Sequence, residues 1–418
     1  METARRVVVT GYGAVTPLGN DAEEFWRRLV AGESGVRSTQ VFDPAGVTSR
    51  MAGEVRDFDP SGVLGRKEVK RNDRFTQLAL VATREAMDRA GLPGRLEGEL
   101  AEATGVLIGT GLGGTGTLID QIAVWATRGP DRLSPFFIPM AIANMAAGQA
   151  AMSFGAMGPD FAPVSACASG GHAIGEAYEI IRRADAEVML AGGTEAVVFE
   201  ATVGAFAAMR ALSTRNDDPA GASRPFDSGR DGFVIAEGAA TLVLEELEHA
   251  RRRGVPILAE LCGYAATADA YHITLPAPGG SGALRAARRA LHKAAIDPSE
   301  IDLLCAHATS TADGDVAELQ AIRSLLGESA PRTSITATKS SIGHTLGASG
   351  AIAAVTALLA MRDSVVPPTL NLVDPDPCVG ELDCTPLVAR QRDVRVALVN
   401  AFGFGGQNTA FVLRRWDH

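Results

Sequence analysis

Runs of β-branched and other apolar residues alternate with helix-patterned stretches from one end of the chain to the other. That alternation restricts the fold to the α/β class. RVVVTG reads as a strand, after which Asn20 or Asp21 is placed to cap a helix through AEEFWRRLVAG that stops at Gly32. GVLIGTG is a second strand, and EVMLAGG is a wholly apolar one, of the kind buried on both faces. A chain of 418 residues fits about two to three domain-sized units, or one unit built from two related halves.

A sequence echo favours the second arrangement. EGAATLVLEELE (Glu237 to Glu248) resembles GQNTAFVLRR near the C-terminus. The strand–turn–helix pattern around Cys167 is matched in outline by TATKSSIGHTLGASGAIAAVTALLAM. The expectation is a pseudo-duplicated fold joined near Gly254–Val255, with halves 1–254 and 255–418.

The net charge of −10 argues against a nucleic-acid partner, which needs a basic footprint. Cys167, Cys262, Cys305, Cys378 and Cys384 form no C-x-x-C pair and no cluster with zinc spacing, so a reduced, cytoplasmic setting with no metal is expected. The apolar run at the start leads straight into turn residues and reads as a strand, not a signal peptide. The run Ala351 to Met361 is too short to span a bilayer, so no membrane association is expected.

Four segments carry chemistry. In PVSACASGGHAIGEAYEIIRR an apolar strand runs into Ser165-Ala166-Cys167 and a helix begins at once. A cysteine at that junction meets the positive end of the helix dipole, which favours thiolate, although a free cysteine is also common in plain cores. LLCAHATSTADGD delivers His307 from a buried strand into a turn with Thr309 and Thr311. TATKSSIGHTLGASG places Lys339 five residues before His344. Each histidine alone reads more readily as a structural residue; two at strand ends, with a cysteine at a third, form the nucleophile-plus-imidazole set that acyl transfer needs. In NAFGFGGQN, glycines around Phe404 free the backbone to turn N–H groups toward a reacting centre, or simply to turn between Phe402 and Phe404.

These four motifs, in this order, resemble the β-ketoacyl-[acyl-carrier-protein] synthases, most closely the elongating type II enzymes of bacterial fatty-acid synthesis. SRPFDSGRDGFVIAEGA, MRALSTRND and LSPFFIP extend the resemblance over the whole chain. It implies a thiolase-like fold of two pseudo-repeated halves layered α/β/α/β/α, a homodimer, and acyl- and malonyl-loaded acyl carrier protein as partner, with no cofactor. Carried onto matching positions, it makes Cys167 the acyl-bearing nucleophile. The N–H groups of Cys167 and Phe404 become the oxyanion hole, and His307 and His344 the donors to the malonyl thioester carbonyl. Lys339 would act through Glu318, with Asp315 in the supporting network; Phe404 would gate the site. Leu112 and, from the dimer partner, Phe137 would line the acyl tunnel, with Thr309, Thr311 and Phe402 also facing substrate.

Three positions depart from the family pattern: Ala308 replaces a usual glycine after His307, Gln407 replaces a threonine in a tolerable exchange, and Ala353 replaces a glutamate linked in relatives to a monovalent cation, so no such ion is expected. The cysteine argues against an inactive chain-length factor. No cysteine lies in the GFGG segment, which argues against a thiolase. A ketosynthase of polyketide or other specialised acyl synthesis and a non-catalytic carrier-binding scaffold remain as alternatives. GTGLGG (109–114) satisfies a dinucleotide-binding spacing, but no acidic residue is placed to hold a ribose. Arg66, Lys67, Lys70, Arg71, Arg74 and Arg210 offer a basic patch for the acidic carrier protein, or a merely solvated face.

Overall fold

The computed structural model describes residues 5–417. Ten strands are hydrogen-bonded into one sheet. In chain order they are β1 (Val7–Val15), β2 (Thr104–Gly109), β3 (Asp160–Phe161), β4 (Val188–Glu195), β5 (Gly238–Glu246), β6 (Ala259–Ala268), β7 (Leu303–Cys305), β8 (Ser334–Thr336), β9 (Val396–Gly403) and β10 (Gln407–Arg415). Their order across the sheet is β8-β7-β9-β10-β6-β1-β5-β4-β2-β3. The central pair, β1 and β6, is antiparallel and short, with Val8 opposite Glu260.

On each side of that pair the pattern is the same. From β1 the partners run antiparallel to β5, antiparallel to β4, parallel to β2 and parallel to β3. From β6 they run antiparallel to β10, antiparallel to β9, parallel to β7 and parallel to β8. The echoing segments EGAATLVLEELE and GQNTAFVLRR therefore form β5 and β10, equivalent strands of the two sides.

Six helices make the layers: α1 (Arg74–Arg89), α2 (Met145–Phe154), α3 (Ser169–Arg182), α4 (Ser281–Ala294), α5 (Ala312–Leu326) and α6 (Ser349–Asp363). The helices α3 and α6 touch each other and strands of both sides, so they form the middle layer. On the outer faces, α1 and α2 cover β1, β2 and β5, while α4 covers β6 and β10 with α5 beside it. The resulting order is α/β/α/β/α. Position explains composition here: α6 is buried from Ser349 to Met361, because helices and sheet surround it on every side. The stretch Leu346–Asp363 is apolar and long enough to cross a membrane, yet 89% of it is buried inside the fold.

Local signals act as expected at the edges. Asp21 caps the helix Ala22–Val30 by accepting from Glu24 N–H at 2.8 Å, and Gly254 closes Leu247–Arg253 in the left-handed conformation at φ 66°. One strand expectation fails. The residues before Cys167 pair only at Asp160–Phe161, and Val164 is 56% exposed, so Cys167 follows an irregular segment at the sheet's outer edge.

Candidate active site

Cys167 sits in a single tight turn, Ala166–Ala168, that leads directly into α3. Ala166 holds φ at 51°, a conformation an alanine adopts only under constraint. The constraint is visible: Ser169 Oγ donates to Ala166 O at 2.6 Å and accepts from Ser165 N–H at 2.9 Å. Ser165 Oγ meets His172 Nδ1 at 2.7 Å. The turn aims the sulfur inward, leaving Cys167 only 7% exposed.

His344 and His307 come from separate segments to the same point. His344 Nε2 lies 3.1 Å from Cys167 Sγ, and its other ring nitrogen lies 3.0 Å from Ser349 Oγ. The two imidazoles stand edge to face with centroids 5.5 Å apart. Phe402 N–H donates to His307 Nδ1 at 3.3 Å, so the proton of that ring is on Nε2. Burial holds both histidines well below the usual imidazole range, and the Lys339 charge pushes the same way; both rings are neutral.

The turn that aims His307 is built on a buried carboxylate. Glu318, on α5, accepts from the N–H groups of His307 at 2.8 Å and Ala308 at 2.6 Å, and from Asn400 Nδ2 at 3.2 Å. Ala308 (φ 31°) and Ser310 (φ 68°) are both left-handed, so this anchor works against backbone strain. Asp315 accepts from Phe226 N–H at 2.9 Å and Ser310 N–H at 3.1 Å, and burial pushes its carboxyl up to about 7. Lys339 and Glu318 act on each other through their fields, the carboxylate raising the ammonium and the ammonium lowering the carboxyl, while the oxygens of Glu318 bond the N–H groups of His307 and Ala308. Lys339 is buried and its ammonium falls to about 8 through desolvation, opposed by the negative field of Glu318.

The thiolate expectation is corrected too. Burial pushes the Cys167 thiol up to about 12, outweighing the Lys339 charge and the N–H groups of Cys167 and Phe404 that act on the sulfur. The resting thiol is protonated. Those two N–H groups converge because the hairpin of β9 and β10 approaches the nucleophile turn closely. A Cβ at Gly403 would fall 2.6 Å from Ser165 O, and Gly405 holds φ at 86°.

A cavity of about 510 Å³ opens over this cluster, lined by Cys167, His307, His344, Thr309, Thr311, Glu318, Phe402, Phe404, Leu112 and Arg210 among others. Phe137 is absent from that lining; it lies on a short helix, Phe137–Ala141, away from its own chain's cavity. Among the basic residues, Arg66, Lys67, Lys70 and Arg210 are exposed. Arg71 packs over Phe136 at 4.9 Å. Arg74 is half-buried, and its Nε and Nη2 donate to the buried Glu237 at 2.7 and 2.8 Å, so its charge is already paired. The described residues contain no cluster of metal ligands, and all five cysteines are free.

Two residues went unread in the sequence. Glu195, at the end of β4, is fully buried and accepts from Gly111 N–H (2.8 Å), Leu112 N–H (3.2 Å), Gly347 N–H (3.0 Å) and Thr110 Oγ (2.9 Å). It ties the loop carrying Leu112 to the loop after His344. The only signal was an acid closing an otherwise apolar strand. Ser349, partner to His344, carried none.

The chain matches the family model "Beta-ketoacyl synthase, N-terminal domain" over residues 4–250 and "Beta-ketoacyl synthase, C-terminal domain" over 258–373. It is 47% identical over 415 residues to a 3-oxoacyl-[acyl-carrier-protein] synthase 2 of Synechocystis sp., covering 99% of each chain. It is 44% identical over 418 residues to the protein of that name from Staphylococcus aureus, covering all of both. Among solved structures, a β-ketoacyl synthase from Burkholderia phymatum superposes with a TM-score of 0.92 at 36% identity, over 99% of this chain and 100% of that one. A type II PKS ketosynthase, solved in complex with its acyl-carrier protein and bound to the hexaketide, superposes with a TM-score of 0.91 at 36% identity and the same coverage.

Proposed function

The chain belongs to the β-ketoacyl synthase family, and from that premise we propose that it condenses an acyl thioester with malonyl-[acyl-carrier-protein], releasing carbon dioxide and forming a 3-oxoacyl-[acyl-carrier-protein] in fatty-acid elongation. The observation that carries the reading is the 3.1 Å approach of Cys167 Sγ to a neutral His344, with His307 beside it and two backbone N–H groups over the sulfur. Relatives named 3-oxoacyl-[acyl-carrier-protein] synthase 2, at 44 to 47% identity, favour it over a polyketide role, for which the solved neighbour is 36% identical.

In the first half-reaction the thiol proton passes to His344 Nε2 as Sγ attacks the acyl carbonyl. The oxyanion accepts from the N–H groups of Cys167 and Phe404. The bond to the carrier sulfur breaks, and the carrier leaves as a thiol with the proton from His344. In the second, the malonyl thioester carbonyl accepts from Nε2–H of His307 and His344. The carboxylate's C–C bond breaks, its electrons become the enolate, and the enolate carbon attacks the acyl carbon on Cys167. Expulsion of the Cys167 sulfur completes the C–C bond, and the thiolate regains a proton from water as product leaves. Lys339 keeps both imidazoles neutral by its charge, and Glu318 and Asp315 fix the His307 turn.

The halves 1–254 and 255–418 divide the work, the nucleophile coming from the first and the imidazoles from the second. A homodimer fits the exposed apolar residues Ile122, Trp125, Ile138, Met157 and Phe161, the last of which lies on the edge strand β3. Phe137, beside Ile138 on its short helix, would reach the partner's acyl tunnel, completing the wall begun by Leu112. Acyl carrier protein docks through Lys67, Lys70, Arg71 and Arg210; Arg210 already stands at the cavity rim. The setting is cytoplasmic. Release of labelled carbon dioxide from carboxyl-labelled malonyl-[acyl-carrier-protein] tests the reaction. The native chain releases it and His307→Ala does not; equal release by both refutes the assignment.

A further inference from the structure

The two imidazoles differ in what faces their second nitrogen. His307 Nδ1 meets Phe402 N–H at 3.3 Å, a group that only donates, so its ring is held as the Nε2–H tautomer throughout. His344 Nδ1 meets Ser349 Oγ at 3.0 Å, a hydroxyl that both donates and accepts. Ser349 Oγ has a further partner in Thr345 Oγ1 at 3.2 Å, which is also amphoteric, so in either direction Ser349 can donate to one neighbour while accepting from the other. All three residues are buried, His344 at 3%, Ser349 at 6% and Thr345 at 1% exposure, which keeps bulk water from substituting for the hydroxyls.

The chemistry asks opposite things of His344. While Cys167 carries its proton, Nε2 must be a lone pair that accepts from the thiol, and the ring proton sits on Nδ1, donated to Ser349. Once Cys167 is acylated, Nε2 must carry a proton to donate to the malonyl carbonyl, so Nδ1 becomes the acceptor and Ser349 the donor. We propose that Ser349 is a positioning residue that lets His344 take opposite tautomers in the two half-reactions, while His307 stays fixed. The tautomers exchange by gain of one proton at Nε2, the nitrogen on the side of Cys167 and the open cavity, and loss of one at Nδ1 by way of the Ser349 and Thr345 hydroxyls, as carrier proteins change places, with no net charge. This inference rests on the condensing reading.

The test uses the full chain labelled with heavy-nitrogen histidine, the His344 signals being assigned by their loss in His344→Asn. Spectra are taken before and after acylation of Cys167, with intact mass measured on the same samples. The expected result is Nδ1–H in the free enzyme and Nε2–H in the acyl-enzyme for His344, with Nε2–H in both for His307. One tautomer of His344 in both states, on a sample shown by mass to be acylated, overturns the inference and leaves the condensing reading intact. Failure of Cys167 to acylate at all removes both. Ser349→Ala, which leaves either tautomer without a partner, is expected to lower kcat about tenfold with little change in KM for the malonyl carrier. Ser349→Thr, which restores the hydroxyl, returns most of it. Full activity in Ser349→Ala would overturn the role.

Discussion

Glu318 is the sharpest point at which to perturb this site, because one carboxylate holds a strained turn and a catalytic ring together. Its replacement by alanine strips partners from the N–H groups of His307 and Ala308 and from the Asn400 amide, bonds of 2.8, 2.6 and 3.2 Å. A buried donor left unpaired costs about 1–3 kcal/mol. Glu318 lines the cavity, so water can reach some of the three, and the lower end applies: about 3 kcal/mol in all. Ala308 and Ser310, left-handed at φ 31° and 68°, then relax toward ordinary conformations and carry His307 off its aim. Loss of one preorganised donor to the enolate lowers the rate about 100- to 1,000-fold. Urea unfolding should show the stability loss, and carbon dioxide release the rate loss, while acylation of Cys167 continues. Glu318→Gln keeps one acceptor and should fall between. Native stability and native decarboxylation in Glu318→Ala would refute the reasoning.

Other consequences are equally direct. With the thiol pushed up to about 12 by burial, alkylation of Cys167 by iodoacetamide, followed on its own peptide, should rise about tenfold per pH unit from pH 7 to 10; a plateau below about pH 8 would mean a resting thiolate instead. The Asp315 carboxyl, raised to about 7 in the fold against about 4 when unfolded, binds more protons in the native state between those values. Its contribution is therefore full below about pH 4 and lost as pH rises through about 7. Asp315→Asn should gain on the native chain by up to about 1.4 kcal/mol per pH unit across that window, and parallel stability curves would count against it. Glu195→Gln sets an amide NH₂ against backbone donors, costing about 2 kcal/mol in urea unfolding and loosening Leu112, so the acyl-length profile should broaden. Unchanged stability and profile would deny Glu195 that role.

What the sequence made legible was local. The alternation of strand and helix patterns, the helix caps and the glycine-rich hairpin all depend on neighbours in the chain, and the Cys167, His307 and His344 turns were visible for that reason. The echo between Glu237–Glu248 and the C-terminal segment was legible because equivalent strands face equivalent surroundings. What stayed hidden depends on residues far apart. Glu237 lies 163 residues from Arg74, so nothing near Arg74 in the chain marks its charge as already paired. Glu195 meets Gly347 across 152 residues, and its role as a clamp exists only after folding. The protonation of Cys167 was misread because the helix terminus is written in sequence while the depth of burial is not. Glu318 was legible as the acid acting on Lys339, but its bonds to the N–H groups of His307 and Ala308 exist only in the folded turn.

The most direct measurement is the mass of the intact chain after incubation with an acyl-loaded carrier protein, and again after malonyl-loaded carrier protein is added. One acyl group should appear on the native chain, map to the Cys167 peptide, be missing from Cys167→Ser, and vanish on the second addition as 3-oxoacyl carrier protein forms. An adduct that persists in Cys167→Ser, or one that malonyl-loaded carrier cannot discharge, would contradict the account.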